Sequence, residues 1–109
     1  NGRELWKSDG TASGTVMVKD INSGNGSGLS YPSLLTVIGS TLFFKADDGT
    51  NGRELWKSDG TASGTVMVKD INSGSGSSSP LYFTAIGNTL FFRADDGTNG
   101  DELWMYGLF

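Results

Sequence analysis

The feature that most constrains the fold is an internal repeat, which returns almost unchanged along the 109 residues. Residues 1–24 match residues 51–74 without a difference, and residues 38–52 match residues 86–100 apart from two substitutions. A repeat of this kind indicates that one small structural unit is built several times and that neighbouring units share a core. The chain is therefore predicted to consist of similar units that stabilise one another.

Each period contains four short apolar segments separated by turn residues, which predicts four strands and no helix. In the complete period these strands are predicted at residues 34–38, 41–47, 53–59 and 65–71. The pair Gly39 and Ser40 suits a two-residue hairpin turn, because glycine adopts a positive φ at little cost. Only the Gly- and Ser-rich connector after the fourth strand is long, as in residues 23–33. The fold class is thus all-β, with each period a four-stranded antiparallel meander like a β-propeller blade.

Apolar residues lie on both faces of the predicted strands. The side chains that point to opposite faces are Leu42 and Phe44 against Phe43 in the second strand, and Leu35 and Val37 against Leu34 and Ile38 in the first. A small sheet with two apolar faces needs cover on both, as when blades stack around an axis. The alternative, a two-sheet sandwich, would carry polar outer faces, so we favour blades.

The chain begins and ends within a period. Residues 1–24 are predicted to form a partial blade of two outer strands, residues 25–74 a complete blade, and residues 75–109 a partial blade that lacks its fourth strand. The two partial blades complement each other, but two blades are too few to surround an axis. The sequence therefore predicts a closed ring formed by oligomerisation; the alternative is that the chain is a piece of a longer one.

The predicted partner is the chain itself. The fourth strand near residues 15–21 of one copy should complete the sheet at residues 81–104 of the next, with an even blade count and eight blades from four chains favoured. Two copies of the third strand then compete for one place. We expect residues 1–8 to be displaced, because they have a free end and only one hairpin connection.

Composition excludes several functions. There is no cysteine and no histidine, so the usual thiolate, imidazole ligand and neutral proton shuttle are missing, and we predict no enzyme and no cofactor. The net charge is −4 and the eight Lys and Arg residues are scattered, which argues against a nucleic-acid partner. No apolar run reaches the roughly 20 residues that span a bilayer, and no signal-peptide pattern is present. We therefore predict a soluble chain with no membrane partner.

Three tryptophans recur at one strand position, and their predicted role is packing between blades. The predicted packing residues are Trp6, Trp56, Trp104, Phe43, Phe44, Phe91 and Phe92. The alternative for the tryptophans is stacking on a sugar ring. That reading leads to a second functional hypothesis, a lectin-like or calcium-assisted propeller that binds glycans through repeated loops.

Carboxylates in two kinds of loop allow a metal or catalytic hypothesis. The candidate calcium ligands are Asp47, Asp48, Asn51, Asp95, Asp96 and Asn99, but their spacing does not fit an EF-hand, and Asp and Gly are also what a tight turn needs. Glu54 and Asp59 could suggest a glycosidase pair. Five residues along a strand separate them by roughly 16 Å. We therefore favour turn and structural roles for both sets, without a catalytic or metal site.

The segments "ELWKSDGTASGT" and "FFKADDGTNG" resemble the bacterial ELWxxDGT repeat family, and the likeness covers nearly the whole chain. The motif "ELWKSDGT" occurs at residues 4–11 and 54–61. The third copy, "ELWMYGLF", departs from it, which suggests a terminal unit. This resemblance implies propeller-like repeats from a secreted or cell-surface bacterial protein and supplies no catalytic residue. Near-identical copies are also typical of an amplified or engineered repeat.

Overall fold

The computed structural model describes residues 3–22, 35–74 and 76–107. Within these ranges the chain contains nine β-strands and no helix, which confirms the predicted all-β class. The strands are β1 (Leu5–Lys7), β2 (Val16–Lys19), β3 (Thr36–Ile38), β4 (Thr41–Asp47), β5 (Arg53–Ser58), β6 (Val66–Lys69), β7 (Leu81–Ile86), β8 (Thr89–Asp95) and β9 (Asp101–Gly107). The described residues include no helix that could cross a membrane.

The strands form three antiparallel sheets in chain order. The first sheet contains β1 and β2, the central sheet β3 to β6, and the third sheet β7 to β9. Within each sheet every strand pairs with its neighbour in sequence, so the first sheet is a hairpin and the other two are meanders. Two, four and three strands are the numbers that the interrupted repeat predicts for the described part of the chain.

Turn chemistry sets the strand bounds. Gly39 and Gly87 begin the two-residue turns after β3 and β7 with φ values of 60° and 59°, which confirms the predicted positive φ. The third and fourth strands are shorter than predicted: β5 ends at Ser58 and not at residue 59, and β6 spans Val66–Lys69 and not residues 65–71. The predicted connector at residues 23–33, together with Leu34, lies outside the described residues.

The central sheet is buried on both faces. Phe43 and Phe44 are neighbours on β4 and point to opposite sides, yet both are 0% exposed. Phe44 belongs to the core shared with the first sheet, and Phe43 belongs to the core shared with the third. The three sheets are therefore stacked, as the two apolar faces of β4 predict.

Within the described part of one chain, only one face of the first strand of the period is covered. Leu35 and Val37 are largely exposed, whereas Ile38 is buried. The reason is the small size of the first sheet. Its two strands correspond to the third and fourth strands of the repeat, so none of the described strands lies over β3 on that side.

Candidate functional site

The first sheet packs on the central sheet through a small apolar interface. Its β1, β2 and following turn contribute Leu5, Val18 and Ile21, and the central sheet contributes Phe44, Ala46, Trp56 and the partly buried Leu42. We call the first set the leucine face and the second set the tryptophan face. The same names apply to the equivalent residues of the other sheets.

The central sheet packs on the third sheet in the same way. Its leucine face consists of Leu55, Val68 and Ile71, 50 residues after their equivalents in the first sheet, and is extended by Ile38 and Phe43. Opposite lies the tryptophan face of the third sheet, which consists of Leu90, Phe92, Ala94 and Trp104. Each is 48 residues after its equivalent in the central sheet. One type of interface thus occurs twice in the chain, with the sheets facing in the same direction.

Cation–π contacts repeat with the apolar residues. The Nζ atom of Lys19 lies 6.0 Å from the ring centroid of Trp56, and that of Lys69 lies 5.5 Å from the ring centroid of Trp104. Lys19 and Lys69 are equivalent positions of the repeat. Contacts at this distance are weakly attractive, and their repetition shows that both interfaces have the same orientation.

At each end of the stack, one face of the interface is left uncovered by the described residues. On the third sheet the leucine face is open, since Ile86 and Leu103 are 65% and 76% exposed. On the first sheet the tryptophan face is open, since Trp6 is 57% exposed. Single exposed apolar residues are ordinary, but a cluster of them on a sheet face marks an interaction site. The two open faces are the two complementary halves of the interface.

A cleft beside the first sheet marks where that sheet is incomplete. The cleft has a volume of about 250 Å³, and the residues that line it include Trp6, Leu42 and Ser58. Leu42 is only partly buried, whereas its equivalent in the third sheet, Leu90, is 0% exposed. In that second interface Phe43 covers the site, with its ring 5.7 Å from the ring of Tyr106, the equivalent of Ser58. The first sheet has no strand that could supply such a phenylalanine.

A buried glutamate joins each third strand to the segment after the fourth. The Glu54 carboxylate accepts hydrogen bonds from the backbone N–H groups of Ile71 at 3.0 Å, Asn72 at 3.4 Å and Ser78 at 3.2 Å. Burial raises the pKa of Glu54, and these hydrogen bonds oppose the rise without cancelling it. The side chain therefore satisfies backbone donors in a place that water does not reach.

The other two sheets differ at this glutamate position. Glu4 repeats the arrangement in the first sheet, where its carboxylate accepts from the N–H groups of Ile21 at 2.8 Å and Asn22 at 3.4 Å. Glu102 holds the same position in the third sheet but is exposed. No described residue donates a hydrogen bond to its carboxylate, because β9 is the last strand of its sheet.

The predicted packing residues differ in burial according to their sheet. Phe43, Phe44, Trp56 and Phe92 are buried, Phe91 and Trp104 are half-buried, and Trp6 is exposed. A buried indole N–H usually has a hydrogen-bond partner, but the Nε1 atom of Trp56 has none among the described residues.

The candidate calcium ligands are engaged in turns. Asp47 accepts from the N–H of Gly49 at 2.8 Å, and Asp48 accepts from the N–H groups of Thr50 and Asn51 at 2.9 and 2.8 Å. Burial alone would raise the pKa of Asp48, but these hydrogen bonds lower it. The equivalent loop repeats the pattern at Asp95, Asp96 and Asn99. Among the described residues, no three acidic side chains converge as a metal site would require.

The loop after the "ELWKSD" segment closes on itself. The Asp59 carboxylate accepts from the backbone N–H and the hydroxyl of Thr61 at 2.9 and 2.6 Å. The side-chain hydrogen bond from Thr61 is the main cause of the lowered pKa of Asp59. A Cβ atom at Gly64 would overlap this carboxylate, so the loop requires glycine there. Asp59 thus holds its own loop, while Glu54 binds backbone donors elsewhere.

Ser78 lies in the Gly- and Ser-rich connector that follows the fourth strand of the complete period, and it has a structural role. Ser78 is buried, its N–H donates to the carbonyl of Arg53 at 2.9 Å, and its carbonyl accepts from the N–H of Asp95 at 3.0 Å. The connector therefore bridges the central and third sheets. A Gly- and Ser-rich segment gives no periodic signal of such a role.

No protein-family model, curated protein or solved structure matches this chain. The resemblance to ELWxxDGT repeats therefore stays a prediction that depends on the motif alone. The geometry of the two open faces is the basis for a functional proposal.

Proposed function

We propose that this chain is a non-enzymatic structural module that assembles with copies of itself into a closed, propeller-like ring. In this assembly the open leucine face of the third sheet of one copy packs on a tryptophan face of the next copy. The observation that carries the proposal is the repeated interface. It is used twice within the chain, and its two halves are open at opposite ends of the stack.

The exposed side chains provide a driving force for association. Ile86 and Leu103 are largely exposed and Phe91 is half-buried, and they are equivalent to Ile38, Leu55 and Phe43, which are buried between sheets. Full burial of one such side chain stabilises by about 1.5–3 kcal/mol. Association also has an entropic cost, so this figure is a driving force and not an affinity.

The direction of stacking favours a ring. The interface joins two different faces, so each copy adds to the next by the same rotation, and such contacts close into rings when the rotation divides a full turn. Each chain supplies the strands of two blades, which gives an even blade number. We propose eight blades from four chains, within the usual range of about four to eight blades.

Solution mass measured by light scattering or native mass spectrometry tests this function. We expect a species of four times the 11.5 kDa of one chain, and we expect Leu103→Asp to be a folded monomer because it places a charge on the open leucine face. Thr98→Asp adds the same charge in an exposed loop and should assemble as the wild type does. A wild-type protein that is monomeric at every concentration, with a folded β-sheet spectrum, would contradict the proposal.

A further inference from the structure

We infer that the third sheet is completed by strand β2 of a second copy, which pairs with the free edge of β9 while β1 of that copy is released. This inference rests on the proposed self-assembly, and it names the segment that is exchanged. The ligand of the open edge is thus residues 16–22 of an identical chain.

The register of this pairing follows from the two complete hairpins. In the first sheet Leu5 pairs with Lys19 and Trp6 with Met17, and the central sheet repeats these pairs 50 residues later with the same irregularity in register. Strand β9 carries the same Glu-Leu-Trp sequence, and no other described strand pairs with its outer edge. We therefore expect Leu103 to pair with Lys19 of the second copy.

The polar groups at the open edge of β9 also match strand β2, and the main one is the Glu102 carboxylate. In both other sheets the equivalent glutamate accepts the backbone N–H groups of the isoleucine and asparagine that follow the fourth strand. Glu102 has the same place on its strand, but no described residue of its own chain donates to it in this way. The N–H groups of Ile21 and Asn22 in a second copy fit this carboxylate, so the site is complete only when that copy is bound.

The exchange leaves the number of hydrogen bonds nearly unchanged and increases apolar burial. The backbone N–H groups of Ile21 and Asn22 would donate to Glu102 instead of Glu4. The backbone hydrogen bonds of β2 would be made with β9 instead of β1. Leu103 replaces Leu5 on the tryptophan face of the second copy, because both residues hold the same repeat position. The apolar gain comes from the other two strands of the third sheet, which the first sheet lacks.

The cleft beside the first sheet can hold a side chain from one of those additional strands. Phe91 is equivalent to Phe43, which covers Leu90 and contacts Tyr106 in the complete interface. After exchange, Phe91 would cover Leu42 of the second copy and fill the cleft lined by Leu42 and Ser58. Strand β1 has three residues and one neighbour, so it is the weaker competitor for this place.

A reversible disulfide lock distinguishes exchange from simple face stacking. Lys7 and Val16 are paired across β1 and β2. Directly opposed strand residues have a Cα separation that a disulfide can bridge. The chain has no cysteine of its own, so in Lys7→Cys/Val16→Cys this is the only disulfide possible within one chain, and oxidation at high dilution favours it over bonds between chains. We expect the oxidised protein to be monomeric and the reduced protein to assemble, a shift of at least about tenfold in dissociation constant.

A second pair traps the exchanged strand. By the same register Met105 pairs with Val16 of the second copy, whereas the two residues of one chain belong to sheets on opposite sides of the central sheet. Oxidised Val16→Cys/Met105→Cys should therefore form covalent oligomers on a non-reducing gel, well above the yield of Met105→Cys alone. Glu102→Gln should weaken assembly about tenfold and leave monomer unfolding unchanged.

The outcomes separate this inference from the function on which it rests. A wild-type protein that never assembles contradicts both. A wild-type oligomer contradicts only the exchange if the locked, oxidised variant assembles as well as the reduced one, or if Val16→Cys/Met105→Cys yields no cross-link above its control. Circular dichroism of each variant establishes that it is folded. If Lys7→Cys/Val16→Cys does not fold, the cross-link yield of Val16→Cys/Met105→Cys still shows whether the strand is exchanged.

Discussion

The Glu-Leu-Trp motif of the central sheet and that of the third sheet have the same sequence in different surroundings. In the central sheet Glu54, Leu55 and Trp56 are all buried. In the third sheet Leu103 is 76% exposed, Glu102 is exposed and Trp104 is half-buried. The difference comes from neighbours alone, because the central motif has a fourth strand beside it and a sheet on each side. The motif therefore specifies a strand that is meant to be covered, and the third sheet lacks that cover.

The largest expected difference between the two regions concerns equivalent phenylalanines. Phe43→Ala should lower the free energy of unfolding by about 3–5 kcal/mol, because it leaves a cavity between the central and third sheets. Phe91→Ala should cost only about 1 kcal/mol in dilute solution, where this side chain is half-buried. Denaturant titration measures both values. Equal costs at low concentration would show that the third sheet is already covered in the monomer.

The two glutamates give a smaller effect. Glu54→Gln should lower the free energy of unfolding by about 1–3 kcal/mol, because an amide NH₂ would face backbone donors that the carboxylate now satisfies. Glu102→Gln should change it by less than about 0.5 kcal/mol in the monomer. The measurement is denaturant unfolding of both variants below the concentration of assembly. A large loss for Glu102→Gln in that range would mean that this carboxylate has an intramolecular partner.

The smallest expected effect concerns the acid sensitivity of stability, which should be similar for the loops of the first and central sheets. Asp9 and Asp59 lie in identical loops, and the side-chain hydrogen bond from Thr11 or Thr61 lowers the pKa of each below 3.8. The lowered pKa stabilises the folded state above pH 3.8, and this stabilisation is lost as the pH falls below that value. Asp9→Asn and Asp59→Asn should each reduce this acid sensitivity by a similar amount in thermal melts from pH 5 to pH 2. A larger effect for Asp59→Asn would show that Lys7, whose Nζ donates to the Gly60 carbonyl at 2.7 Å, contributes measurably to the lowered pKa of Asp59.

Much of the fold is accessible from the sequence because it depends on local chemistry and on alternation. The glycines at 39 and 87 set two hairpin turns, and the adjacent Phe43 and Phe44 require cover on both faces. The exposure of Val37 could not be predicted in this way, since it depends on which strands the neighbouring sheet contains. The burial of Ser78 was also inaccessible, because it results from hydrogen bonds between sheets and leaves no pattern in a Gly- and Ser-rich segment.

The candidate site shows the same division. Sequence alone indicated that the two ends complement each other, since the repeat is interrupted within a period. It predicted a structural role for Glu54 but not the partners of its carboxylate, because the donors come from residues 17 to 24 positions further along the chain. The different burial of Glu54 and Glu102 becomes visible only when the hydrogen-bond donors of Ile71, Asn72 and Ser78 are located.

The unlike faces at the two ends of the stack have a consequence for mixtures of chains. In a ring built by this interface, a copy that carries Leu103→Asp keeps an intact tryptophan face, so the leucine face of a wild-type neighbour can still bind it. Its own leucine face carries a charge and cannot bind the next copy. Such a copy acts as a terminator. Small proportions of it would convert closed rings into short open assemblies, whose mean length is set by the mixing ratio.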